Sequence, residues 1–422
     1  MEYKVEEIKR GIKLHKIKTD KFKTNLVAVF LTTPLNRENV TKDAVISAVL
    51  RRGSKNMSTQ EEISKNLEEM YGASFDCGID KTGDNHVFKF YLELINDAFI
   101  PQNDENMLKQ GLEKILEIVC NPYTEGNRFK EEYVNQEKEN IRRRIESKID
   151  NKGRYAIDRC VEEMYKDKPY GLYKYGYVED LDGINEENLY EHYKTLINEC
   201  KIDIFVSGEI NEEIDNLVKE NENIKNLNER DAIYNVNKLD KKEVVEENIV
   251  QESLNVTQGK LVLGLDINIQ DEKEKYYALM YNSILGGTAN SKLFQEVREK
   301  ASLAYTASSS YLRYKNNIII NCGIEIQNYE KALEIIRKQL EDMKNGEFSD
   351  EDVENSKKII ISTIKSIDDE QDTEITYFLG QELTENKVSL DEYIKIIENI
   401  SKEDVLRIAD KVNINTIYFL KD

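Results

Sequence analysis

Arg298 and Tyr305 stand seven residues apart in the segment VREKASLAY, shortly after Gly286-Gly287. A guanidinium and a phenol are both hydrogen-bond donors. Aimed at developing negative charge, they stabilise a transition state more than a ground state. Each also has a plainer role. An arginine near a helix C-terminus gains roughly 0.3–1 kcal/mol from the helix dipole, and a tyrosine can sit half-buried on an amphipathic strand. Gly286 and Gly287 permit positive φ and close backbone approach, which suits either a simple turn or a loop that contacts a peptide. Other reactive groups are sparse. The only histidines are His15, His86 and His192. Asn188-Leu189-Tyr190-Glu191-His192 is half of an HxxEH metal pattern with asparagine in the first position, and it reads as a lone exposed histidine on an acidic helix. The chain has no GxSxG elbow, no Walker-A loop and no GxGxxG. The run Arg142-Arg143-Arg144 has glutamates at helical spacing around it and reads as a solvated helix face.

The elements that must hold these residues follow from periodicity and punctuation. TNLVAVFLTTPL (24–35) is β-branched and apolar and ends at a proline, so it reads as a strand. DAVISAVLRR (43–52) carries its apolar residues at helical spacing and stops at Gly53. Ser58-Thr59-Gln60-Glu61 opens a second helix with a capping-box pattern. A strand over 85–95, an amphipathic helix over 104–119, a long helical stretch over 128–165 broken near Asn151-Lys152-Gly153, and a strand at 202–208 complete a first half. Residues 209–250 are rich in Glu, Asn and Lys and read as a linker decorated with short helices. The same order then recurs: a strand at 259–267, helices at 273–285 and 291–299, extended chain at 303–311, a strand at 317–324, helices near 328–344, 349–369 and 374–386, and a final strand at 415–420. Two halves of like order suggest duplication. Strands mixed irregularly with helices favour an α+β arrangement over a doubly wound sheet.

The bulk composition narrows the function. The 422 residues carry 81 acidic and 60 basic side chains, a formal net charge of −21. That field repels phosphate backbones and makes nucleic acid an unsuitable partner. Five widely spaced cysteines without a CxxC pair resemble neither a disulfide framework nor a zinc knuckle and fit a reducing compartment. The first residues, MEYKVEEIKRGIKLHK, are charged throughout and lack the apolar core of a secretory signal. No stretch approaches the ~20 apolar residues of a membrane span. A cytoplasmic location is expected.

Three features resemble the insulinase/pitrilysin family of zinc peptidases, and particularly its smaller two-chain branch that includes mitochondrial processing peptidase. The stretch from Gly11-Ile12-Lys13-Leu14 to Gly53-Ser54, followed by STQEEISKNLEEMYGASF, is similar to the family's zinc helix and the capped helix after it. The segment SILGGTANSKLFQEVREKASLAYTASSSY (283–311) resembles a hallmark of the family's C-terminal half. The plan of two similar halves, each ending in a strand, is the third. The chain also looks similar to a bacterial subgroup found in pairs with a zinc-bearing sister, some of them linked by name to elongation factor P aminopentanol modification. The resemblance implies two homologous α+β halves, residues 1–208 and 251–422 joined by the linker 209–250, each with antiparallel sheets covered by helices and together forming a clam-like chamber.

The resemblance also places the family's HxxEH positions at Ala44, Ser47 and Ala48, and its third ligand, with Glu137 seven residues ahead, at Arg144; Glu146 is the nearest carboxylate. Zinc chemistry needs two imidazoles one helical turn apart and a carboxylate acting as general base. Two methyls and a hydroxyl supply neither, and one carboxylate without the histidines is not a zinc site. No metal or cofactor is therefore expected in this chain. Arg298 and Tyr305 match residues that, by resemblance, bind the substrate backbone and stabilise the oxyanion, with Gly286 and Gly287 in a substrate-contacting loop. The implied function is a subunit inactive alone that contributes to peptide hydrolysis when paired with a zinc-bearing sister chain. The alternative is a non-catalytic scaffold or peptide-holding protein of the same fold. A homodimer is conceivable for the chain in isolation.

Overall fold

The computed structural model describes residues 2–100, 106–210, 213–235, 242 and 245–422. The expected helix start at 104–105 and the expected linker at 211–212, 236–241 and 243–244 lie outside the described residues. The chain forms two compact units, each discontinuous in sequence: Met1–Glu146 with Leu172–Val236 and Asp368–Leu383, and Ser147–Gly171 with Asn237–Ile367 and Thr384–Asp422.

The first unit is built on six strands: β1 (Glu2–Lys9), β2 (Ile12–Lys18), β3 (Thr24–Pro34), β4 (Ser74–Thr82), β5 (Asn85–Ile95) and β6 (Lys201–Gly208). Their order is β1-β2-β6-β3-β5-β4, antiparallel except where β2 pairs with β6. β3 and β6 are central and buried along their length, which is why they read as near-continuous apolar runs. Val27, Val29 and Leu31 face a core shared with Ala44, Val45 and Val49 of the helix Val40–Val49 and with the helix Met107–Cys120. Leu26, Ala28 and Phe30 face the other way, onto Ile375, Phe378, Leu379 and Leu383 of the helix Gln371–Thr384. Polar pins reinforce that face. Lys13 donates to Glu382 at 2.8 Å, and Lys201 bonds the fully buried Asp203, which also receives Nε2 of His15 at 2.9 Å. The helix Gln60–Glu69 starts one residue later than its sequence pattern suggested. Thr59 is its cap, accepting from the Glu62 N–H, while the Glu62 carboxylate returns to the N–H of Ser58.

The second unit holds β7 (Asn248–Ser253), β8 (Gly259–Ile267), β9 (Ala304–Leu312), β10 (Asn317–Ile324) and β11 (Val412–Lys421), in the order β7-β11-β8-β10-β9 and antiparallel except for β7 with β11. The helix Lys152–Met164 packs on one face through Ala156, Cys160 and Val161 against Val262, Ile319, Tyr418 and Leu420. It comes so close to β8 that a Cβ at Gly264 would lie 2.1 Å from the Met164 sulfur. The expected break near Asn151 is real, since Asn151 caps this helix by accepting from the N–H of Arg154. The architecture is α+β, with two antiparallel-rich sheets and helices on their faces.

Candidate functional site

The helix Val40–Val49 carries Ala44, Ser47 and Ala48 on successive turns. Ala44 is 1% exposed and packed in the core, and Ser47 is also buried. No imidazole or carboxylate stands at these positions. Arg144, on the helix Glu131–Glu146 that packs against this one, is exposed. Its guanidinium lies 4.9 Å over the Tyr175 ring and donates to the Tyr175 hydroxyl at 3.1 Å. Glu137 is buried and tied to Arg52 at 3.3 Å and to Asn140 at 2.9 Å, while Glu146 sits exposed at the helix end. Two methyls, a hydroxyl and a guanidinium do not fit a zinc ion. Among the described residues no three His, Cys, Asp or Glu side chains are grouped to hold a metal.

The same helix hides a polar clasp that the sequence reading missed. Asp43, 2% exposed, receives His86 Nδ1 at 3.0 Å on one carboxylate oxygen and His192 Nε2 at 2.7 Å on the other. His86 turns its second nitrogen to the Lys174 carbonyl at 2.9 Å, fixing the loop 172–177 beside the helix. His192 is thus not the exposed histidine expected; its side chain is 13% exposed and anchored. Burial works against charge on Asp43, but the hydrogen bonds from His192 and His86 outweigh it and hold the carboxyl below the usual carboxylate range. The legible signal was an aspartate at the start of an otherwise apolar helix, DAVISAVL, since a buried carboxylate demands donors.

In the second unit, Gly286 and Gly287 end a π-helical turn, Ser283–Gly287, and Arg298 lies in a second one, Phe294–Lys300. Gly286 is buried and Gly287 exposed. The Arg298 guanidinium lies 4.5 Å over the Phe294 ring and its Nε is 3.6 Å from Glu299, with the side chain 43% exposed. It therefore extends along the surface from the last turn of that segment, where a cation also meets the helix dipole. The chain then turns at Ser302, in left-handed conformation, and enters β9. β10 pairs Gly323 with Thr306 and Ile324 with Ala304, so Tyr305 is the extra residue of a β-bulge. A bulge turns two successive side chains outward. Tyr305 is 69% exposed, and Thr306 beside it takes the Gly323 N–H on its hydroxyl at 3.2 Å. Among the described residues β9 is an edge strand, with β10 on one side and no strand on the other. Arg298 and Tyr305 are thus both exposed, each on non-ideal backbone, where π-turns and bulges re-aim side chains.

Known proteins resemble this chain in sequence and in fold. The model of the family described as "Peptidase M16 inactive domain" matches residues 183–360. A "Probable inactive metalloprotease YmfF" of Bacillus subtilis is 34% identical over 417 residues, 97% of this chain and 96% of the relative. The chain belongs to the M16 peptidase family, in its inactive branch. A relative carrying the name "Uncharacterized zinc protease YmxG", also from Bacillus subtilis, is 26% identical over 210 residues, 48% of this chain and 50% of that protein. Among solved structures, a conserved protein from Enterococcus faecalis superimposes with TM-score 0.89 at 28% identity, covering 100% of this chain and 99% of its own. The protein is an inactive M16 metalloprotease homologue, and among its described residues no helix is long and apolar enough to cross a membrane.

Proposed function

We propose that this chain is the zinc-free subunit of a two-chain M16 peptidase, similar to the branch that includes mitochondrial processing peptidase and to the bacterial pairs linked by name to elongation factor P modification. A sister chain brings the zinc and its His, His and Glu ligands. This chain brings Arg298 to hold the substrate backbone, Tyr305 to donate to the oxyanion, and the Gly286-Gly287 turn beside them. The observation that carries the reading is the contrast between the two units. The HxxEH positions on the helix Val40–Val49 hold no metal donor, while Arg298 and Tyr305 are both exposed on the second unit. Tyr305 is 69% exposed on a bulge of β9, a backbone feature that re-aims a side chain. The occurrence in one organism of relatives named as an inactive metalloprotease and as a zinc protease supports the pairing.

The test is to assay an unfolded peptide with the chain alone, with a zinc-bearing M16 relative from the same genome, and with both. Activity is expected only in the mixture. Tyr305→Phe or Arg298→Ala should lower kcat by about 10²–10³. No gain on mixing rejects the reading. The second reading, a non-catalytic peptide-holding scaffold, is favoured by the description of the matching family as inactive. It predicts that peptide binding by the chain alone is unchanged in Tyr305→Phe.

A further inference from the structure

Arg298 and Tyr305 sit on different elements, a π-turn and an edge strand, and something must fix one relative to the other. The fixture is buried behind them. Ser309, 6% exposed and four residues along β9 from Tyr305, donates its hydroxyl to Oδ1 of Asn282 at 2.8 Å; Asn282 is 7% exposed and immediately precedes the Ser283–Gly287 turn. The turn is pressed onto the strand at this point. A Cβ at Gly286 would lie 2.6 Å from Ser309 Oγ, 2.7 Å from the Ser309 N and 2.9 Å from Leu293 Cδ1. Leu293 is fully buried and directly precedes the Phe294–Lys300 turn that carries Arg298. At the far end, the N–H of Leu303 bonds the Val297 carbonyl and that of Ser302 bonds the Arg298 carbonyl. The strand, the glycine turn and the arginine turn thus meet at one buried point.

We infer that Ser309 and Asn282 are positioning residues that set the placement of Tyr305 relative to Arg298, with Gly286 present because any side chain would pry the turn off the strand. This rests on the reading of Arg298 and Tyr305 proposed above, but the mechanical coupling does not need it. A hydroxyl buried between Ala307 and Tyr311 and opposite Ile320 of β10 is costly unless bonded, and its bond here spans two elements instead of closing locally.

Two readouts separate the inference from that reading. In the chain alone, Ser309→Ala is expected to raise amide hydrogen exchange by roughly five-fold or more, the size of one lost buried hydrogen bond, in 303–309 and in 294–300 together. Asn282→Ala, which removes the acceptor from the other side, should give the same paired response. Exchange that rises in the strand alone, or in neither segment, overturns the inference whatever the activity. In the two-chain assay Ser309→Ala should lower kcat by about ten- to a hundred-fold with KM unchanged, and should have no further effect in a Tyr305→Phe background. If Tyr305→Phe is itself without effect, the functional reading fails while the paired exchange response still decides the coupling.

Discussion

Each imidazole of this chain is committed to a buried carboxylate. Asp43 takes His86 and His192, and Asp203 takes His15, whose other nitrogen meets the Tyr3 hydroxyl at 2.9 Å. Histidine here joins one element to another: His86 ties β5, and His192 the helix Glu186–Glu199, to the helix Val40–Val49, and His15 ties β2 to β6. The clasp at Asp43 links the helix Val40–Val49, β5 and the helix Glu186–Glu199, and removing its carboxylate leaves two buried rings without their acceptor. Asp43→Ala should therefore cost about 3–5 kcal/mol, read from urea unfolding, whereas a loss below about 1 kcal/mol would mark the clasp as no better than a surface ion pair. At this scale the sequence made Arg298 and Tyr305 legible because a motif fixes their spacing. It hid the clasp, because Asp43, His86 and His192 are far apart in the chain and only tertiary packing brings them together. The same holds for Ser309 and Asn282, which carry no local pattern.

Elements were readable where burial imposes a period. β3, β5, β8 and β10 lie between two covered layers or against a core and show apolar runs. β1 and β2 were not readable: EYKVEEIK and IKLHKIK are dense in charge, with β1 at a sheet edge where none of its residues is fully buried. The two π-turns read as ordinary helix, because a widened turn leaves the apolar spacing almost unchanged. What no local pattern reveals is which helix covers which sheet. The helix Gln371–Thr384, late in the chain, closes the face of the first sheet, and Phe378 is its main anchor, stacked on Tyr3 with ring centroids 3.7 Å apart and 4% exposed. Phe378→Ala should cost about 3–5 kcal/mol of stability and should expose β3 and β6 of the first unit to exchange before β8 and β10 of the second. Equal and simultaneous loss of protection in both sheets would show that this helix is not a local cover but part of one global transition.

For the whole molecule, pH acts through one carboxyl raised by burial, two lowered by their partners, and the net charge. Burial, with Asp368 close by, pushes Glu374 up to about 7 from an ordinary 4.5. The folded chain therefore holds a proton that the unfolded chain has released between those values, and stability falls as pH rises through that window and stays lower above 7. Asp43 is depressed despite its burial by the bonds from His192 and His86, and Asp203 by Lys201 and His15. Their contribution is complete above the unfolded aspartate value of about 3.9 and is lost only below it. Net charge adds to the trend, because −21 at neutral pH is self-repulsive and shrinks toward the isoelectric point near 4.9. Glu374 and the net charge favour the acid side and the two aspartates set its lower limit, which places the stability maximum between about 4.5 and 6. The urea midpoint should accordingly rise from pH 8 to pH 5.5. Glu374→Gln, which keeps the shape and cannot ionise, should gain stability at pH 8 and hardly any at pH 5, so that the slope between the two flattens. Raising the salt at pH 8 should recover the part due to self-repulsion and leave the Glu374 part untouched, since a buried carboxyl is poorly screened. A wild-type midpoint that is flat or higher at pH 8, or a Gln variant with an unaltered slope, would show that Glu374 reaches water in the folded chain and that its charge costs the fold nothing.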